Sequence, residues 1–159
     1  MAMVIELRDV EDTDLDSLFE QMRDPESVRM AAFTSTDPDD RAAFDAHMRK
    51  IRTMPGVLNK AITCDGVFVG TVASFVMDGD TEVTYWIDRE YWGRGIASLA
   101  LGLLLELEKT RPVYARAASD NLGSLRVLAK AGFVPTGSEV AYANARRGEI
   151  EETILQLEE

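Results

Sequence analysis

The stretch Thr81–Leu107, TEVTYWIDREYWGRGIASLALGLLLEL, limits the possible folds more than any other. The apolar, β-prone run Val83–Ile87 predicts a strand. Ile96, Leu99, Ala100, Leu103, Leu104 and Leu107, spaced three and four apart, predict a long helix. Gly93-Arg94-Gly95 stands where one gives way to the other. The first turn of a helix leaves backbone N–H groups without partners and concentrates roughly half a positive charge, so a glycine-rich entry there is suited to phosphate. A tight turn that binds nothing is the competing reading of this tripeptide. Ser98 occupies the position where the dinucleotide pattern G-x-G-x-x-G needs Gly or Ala, which argues against a Rossmann-type NAD site.

A second segment lies downstream: Ser119-Asp120-Asn121-Leu122-Gly123-Ser124-Leu125-Arg126-Val127-Leu128-Ala129-Lys130-Ala131-Gly132-Phe133. Together the two segments resemble the GNAT superfamily of acyl-CoA-dependent N-acyltransferases, and more narrowly the branch that acetylates the N-termini of ribosomal proteins. The family's first motif, Q/R-x-x-G-x-G/A, is fitted by Trp92-Gly93-Arg94-Gly95-Ile96-Ala97 from the glycine on, with Trp92 where Gln or Arg is commonest. Its second motif, N-x-x-[AS]-x-x-[LV]-x-x-K-x-G-F, is met at Asn121, Ser124, Val127, Lys130, Gly132 and Phe133. The opening IELRDVEDTDL and the hairpin CDGVFVGTV look like the same branch, so the similarity spans nearly the whole chain.

The resemblance implies one acyltransferase domain over residues 1–159. Its mixed α/β fold has a mostly antiparallel, twisted sheet of about six or seven strands, flanked by about four helices. Two central parallel strands splay into a V-shaped cleft, the first of them bulged. Acetyl-CoA would be the cofactor, its diphosphate at the backbone of Gly93, Arg94, Gly95, Ile96, Ala97 and Ser98 and its pantetheine beside Trp86 and Ile87. Asn121 would reach it from the second strand. The acceptor would be a small-molecule or peptide amine attacking the thioester directly. A backbone N–H near Ile87 would serve the carbonyl oxygen, Ser124 the departing sulfur, and a water held by Glu82 or by backbone would act as base. The family's frequent tyrosine, four residues before the glycine of the second motif, is Leu128 here, so its role does not transfer. A CoA-binding regulatory module without efficient transfer is the alternative in a different class. An α-amine, with a reference pKa of about 8, needs less help to lose a proton than a lysine amine at about 10.4, which mildly favours an α-amino acceptor.

Composition adds exclusions. A formal charge of −11 makes a nucleic-acid backbone a poor partner. Residues 1–45 hold thirteen Asp or Glu against four Arg, a balance of −9, whereas Arg89–Ala131 carry +3, so the basic part coincides with the expected phosphate site. The acidic part can draw in a cationic acceptor or simply be a solvated face. No run is long enough to span a membrane and the start, MAMVIELRD, has no leader pattern, so a soluble cytoplasmic protein is expected. The lone Cys64 suits a small buried residue. His47, the one histidine, has no triad or paired-ligand spacing and reads as surface or packing, and no metal site is expected. Sheet edges near the C-terminus are compatible with a homodimer.

The remaining elements follow from pattern. A strand is expected at Val4–Val10 and a helix from Thr13 to Met22. A short helical turn over Glu26–Met30 comes next. A helix over Asp39–Thr53, capped by Asp37, would show Ala42, Ala43, Ala46 and Ile51. Leu58–Cys64 and Val67–Met77 form a hairpin about Asp65-Gly66. After the central motif, Val113–Ala118 is a strand parallel to Val83–Ile87, Asn121 caps a helix, and Phe133–Thr136, Val140–Ala143 and Glu152–Leu157 complete the sheet. Gly102, inside the central helix, suggests close packing on the sheet.

Overall fold

The computed structural model describes residues 3–159; Met1 and Ala2, the first residues of the stretch MAMVIELRD read above for a leader pattern, lie outside the described residues. Seven strands form one sheet in the order β1-β2-β3-β4-β5-β7-β6: β1 Ile5–Asp9, β2 Leu58–Cys64, β3 Val67–Met77, β4 Asp80–Ile87, β5 Val113–Ala118, β6 Val134–Ala143 and β7 Gly148–Leu157. All neighbours run antiparallel except β4 and β5. The helices are α1 Leu15–Gln21, α2 Pro25–Ala31, α3 Arg41–Thr53, α4 Ile96–Leu107 and α5 Leu122–Lys130. These are five rather than four, because the expected turn after Asp24 is a seven-residue helix, with Pro25 at its first position and the Asp24 carboxylate accepting from the Ser27 amide.

The sheet separates two apolar layers. On one face, Val83, Ile87, Val113, Ala115, Ala117 and Leu155 pack against Ile96, Ala100, Leu101 and Leu104 of α4 and Leu128 of α5. On the other, Val10, Ala61 and Trp86 meet Leu18 of α1 and Met48 of α3. Fully burying a side chain of the size of Leu101 or Leu104 contributes about 2 kcal/mol, so α4 is held firmly behind the glycine loop.

Several expectations are corrected. The inward stripe of α4 is Ile96, Ala100, Leu101 and Leu104, while Leu99 and Leu107 are exposed; a helix apolar on nearly every side offers two overlapping stripes. Gly102 faces solvent, with nothing within 4 Å of where a Cβ would stand, so packing does not explain it. In α3 the inward residues are Phe44, Met48 and Ile51, with Ala42, Ala43 and Ala46 exposed. Its cap is Asp40, which accepts from the Ala43 amide, and Asp37 accepts from Asp39 instead. Phe133 precedes β6 as a core residue, and the two short strands expected over 133–143 are one strand with an irregularity between Pro135 and Gly137.

The acidic N-terminal segment is tied down locally. Arg8 grips the buried Asp14 through two hydrogen bonds of 2.7 and 2.9 Å, and those bonds hold its carboxylate below the usual range against the opposing effect of burial.

Candidate functional site

The pairing of β4 with β5 is short. Only Thr81 with Val113 and Glu82 with Tyr114 are in register; beyond them Val83–Ile87 has no partner in β5. On its other side β4 pairs with β3 without interruption from Met77–Asp80 to Gly70–Ile87, so the expected bulge of β4 is absent from that ladder. The irregularity lies one strand further out, where Ile62 pairs with Gly70 but Thr63 pairs with Phe68, leaving Val69 extra. Asp88 donates to the Val69 carbonyl at 2.8 Å. By the alternation of an antiparallel ladder, the backbone groups of Val83, Tyr85 and Ile87 therefore turn away from β3, and those of Tyr85 and Ile87, beyond the last register pair with β5, face the gap. Trp86 does not join them: its backbone is in register with Thr71 and its ring packs in the α1–α3 layer, where the indole N–H lacks a partner.

At the mouth of the gap the chain turns through Gly93 (φ +78°) and Gly95 (φ +79°) into α4. Both glycines have open space where a Cβ would be, so backbone conformation rather than crowding selects them. The helix's first internal bond is Leu99 N–H to Gly95 O at 3.2 Å, and no acceptor among the described residues takes the amides of Gly93 through Ser98. A row of unpaired donors thus meets the positive end of a twelve-residue helix. Nearby, the Arg94 guanidinium stacks on the Tyr91 ring at 5.0 Å, and the Trp92 indole donates to the Ile87 carbonyl at 2.9 Å. Ile96 is buried and Ala97 half-buried against the core. Ser98 also lines a groove with Met3, Val4 and Ile5 beside α4.

Asn121 caps α5, its Oδ1 accepting from the Ser124 amide at 3.2 Å, while its Nδ2 donates to the Met30 carbonyl at 3.3 Å. One amide hydrogen remains for a ligand. Ser124 Oγ lies 2.7 Å from the hydroxyl of Tyr85, across the gap on the α4–α5 face. Burial pushes the Tyr85 phenol up, a shift the Ser124 hydrogen bond partly offsets.

Glu82 is on the opposite face. It is 6% exposed, and burial raises its pKa, with Arg116 lowering it and Glu152, Asp80 and Asp78 raising it further. Arg116 of β5 is shared among three carboxylates: Glu82 at 3.5 Å, Glu152 at 3.4 Å and Glu139 at 3.0 Å. When all three are ionised they outnumber the one guanidinium, and the cluster then carries net negative charge. The gap thus has a carboxylate on one face of the sheet, a pair of hydroxyls on the other and backbone donors between. His47 is exposed on α3 and Cys64 is buried in the core, both away from this arrangement.

Three contributors were not singled out from sequence. Gly70 touches the β4 backbone, and its signal was a glycine inside an otherwise β-branched run. Arg116 interrupts the alanines of VYARAA, which marks a charged strand position. Tyr85 carried no signal beyond sharing a strand face with Val83 and Ile87.

The acetyltransferase (GNAT) domain model matches residues 5–134. Among solved structures, the fold is similar to the ribosomal L7/L12 α-N-protein acetyltransferase RimL in complex with coenzyme A, at 16% identity and a TM-score of 0.81, covering 97% of this chain and 93% of that one. It is also similar to Mycobacterium smegmatis RimJ in complex with CoA-disulfide, at 21% identity and a TM-score of 0.82, covering 97% and 81%. A third likeness is the microcin C7 self-immunity acetyltransferase MccE in complex with acetyl-CoA and AMP, at 13% identity and a TM-score of 0.81, covering 98% and 92%. The search of curated proteins returned no match. With five-sixths of its length matched by the family model and a sheet that parts between its two parallel strands, the chain belongs to the acetyltransferase (GNAT) family.

Proposed function

We propose that the protein transfers an acetyl group from acetyl-CoA to the primary amine of a protein N-terminus, peptide or small molecule. The observation that carries this reading is the continuity of two sets of unpaired backbone donors: the amides of Gly93–Ser98 and the unpartnered edge of β4. The first set is suited to a diphosphate, with Arg94 beside it, and the second to the amides of pantetheine. Asn121 offers its remaining amide hydrogen from the α5 side.

Bound acetyl-CoA supplies the thioester carbonyl that the amine attacks. The Ile87 N–H, turned into the gap, donates to the oxygen as charge builds there. Glu82 faces the other side of β4 and, through a water, takes the proton the amine must lose. Ser124 donates a hydrogen bond to the sulfur as the C–S bond breaks. Attack from the Glu82 face and departure toward α5 keep the two events apart. The net negative Glu82–Arg116–Glu152–Glu139 cluster favours a cationic acceptor over an anionic one.

The test is calorimetry with acetyl-CoA and with NAD, followed by thiol release over a panel of α-amines, lysine peptides and small amines. Acetyl-CoA binding with release on at least one amine is expected. Binding of NAD alone would refute the reading, and tight acetyl-CoA binding without release across the panel would assign a regulatory module instead.

A further inference from the structure

The Tyr85–Ser124 contact joins the two sides of the gap. Tyr85 belongs to the part of β4 that β5 leaves unpaired, and Ser124 to the first turn of the helix that follows β5. At 2.7 Å one hydroxyl must donate to the other. Two hydroxyls carry two hydrogens, and neither oxygen has a further partner among the described residues, so one hydrogen is left over. Ser124 stands in the first turn of α5, where its backbone amide is held by the Asn121 cap. A phenol is the stronger donor of the two, so the arrangement that uses it best has Tyr85 donating to Ser124 and Ser124 directing its own hydrogen into the gap.

We propose that Tyr85 is a positioning residue that orients and polarises the Ser124 hydroxyl, so that the pair presents one hydrogen-bond donor to the sulfur of coenzyme A as thiolate. This rests on the acetyl-CoA reading above. When the C–S bond breaks, its electron pair goes to sulfur, and the proton lost by the amine passes to the water held by Glu82. No proton leaves either hydroxyl. Burial keeps the phenol above its ordinary value of about 10, whereas a thiol is near 8.5, so complete transfer from tyrosine to sulfur is uphill and the pair acts by hydrogen bonding. The missing tyrosine of α5 fits this arrangement: Leu128, one turn on from Ser124, is buried and brings no hydroxyl to the gap.

Binding of coenzyme A and of desulfo-coenzyme A, measured by calorimetry from neutral to alkaline pH, tests this without turnover. In the wild type, coenzyme A should gain affinity over the desulfo analogue as its thiol ionises. Tyr85→Phe, which keeps the ring volume, should cut that gain about fivefold, the ratio produced by about 1 kcal/mol of hydrogen bonding, and leave desulfo-coenzyme A unaffected. Ser124→Ala should lose at least as much of the gain, and the double variant no more than Ser124→Ala alone. Equal weakening of both ligands, or no change in the gain, would overturn the Tyr85 role while leaving the cofactor reading intact. Failure of the folded wild type to bind either ligand would overturn the cofactor reading, and this inference with it.

Discussion

A Cβ on Gly70 would overlap the carbonyl oxygen of Trp86 and stand 3.0 Å from its carbonyl carbon and 3.1 Å from the Ile87 Cα. The neighbour is backbone, which cannot rotate aside, so the absence of a side chain at Gly70 is what lets the end of β4 lean onto β3. That lean accompanies the parting of β4 from β5, and it begins beside the extra residue Val69.

Gly70→Ala should therefore push β4 toward the gap. The expected result is a loss of about 1–3 kcal/mol in denaturant unfolding, together with at least tenfold weaker acetyl-CoA binding by calorimetry. A variant as stable and as tight-binding as the wild type would show that β4 has room to shift.

Gly95→Glu places a carboxylate and a strained left-handed residue at the head of α4, where φ is +79° and the surrounding space is open. The backbone cost is about 1–2 kcal/mol, small enough for the fold to survive by circular dichroism. Acetyl-CoA affinity should fall by more than about a hundredfold, because negative charge then stands at the amides that would receive the diphosphate. Unchanged affinity would remove the loop from the site.

For Glu82, whose pKa is raised chiefly by burial, the acid limb of kcat/KM should lie above the usual carboxylate range. Glu82→Gln should abolish that limb. Arg116→Ala should move it to higher pH, since Arg116 is the group that lowers the value. The stability consequence has a definite sign: with the folded pKa above an unfolded value of about 4.3, stability falls as pH rises from that value through the folded pKa. Comparing urea midpoints of wild type and Glu82→Gln across mildly acidic pH reads it directly; parallel curves would mean the carboxylate is not perturbed.

Gly102→Ala should stabilise the protein by about 1 kcal/mol, because the position is inside a helix, exposed and uncrowded. Acetyl-CoA affinity should not change. A lower thermal midpoint would show that the groove between α4 and β1 needs the glycine.

Much of this was legible in the residues. The hairpin Leu58–Cys64 and Val67–Met77, the strand Val113–Ala118 and the Asn121 cap match the structure residue for residue, because local alternation and turn chemistry act over a few neighbours. The order of the two motifs points to the family that the domain model matches. The faces of α3 and α4 were less readable: Ala42 and Ala46, like Leu99 and Leu107, have the spacing of buried residues, yet they lie on the solvent side. Hydrophobic period marks that a helix has an inner face, and only the neighbour it meets selects which of two overlapping stripes that is.

By itself, then, the sequence determined the hairpin strands, the strand Val113–Ala118 and the Asn121 helix start, and it set Gly93 and Gly95 at the head of α4, since each follows from interactions spanning a turn or less. The tertiary structure alone decided that β4 leaves β5 after Glu82, that Tyr85 meets Ser124 thirty-nine positions away, and that Arg116 is shared by Glu82, Glu139 and Glu152. Such contacts depend on where a strand bends and how a helix is rotated on its sheet, and both are settled by packing among distant segments rather than by any residue's own preference.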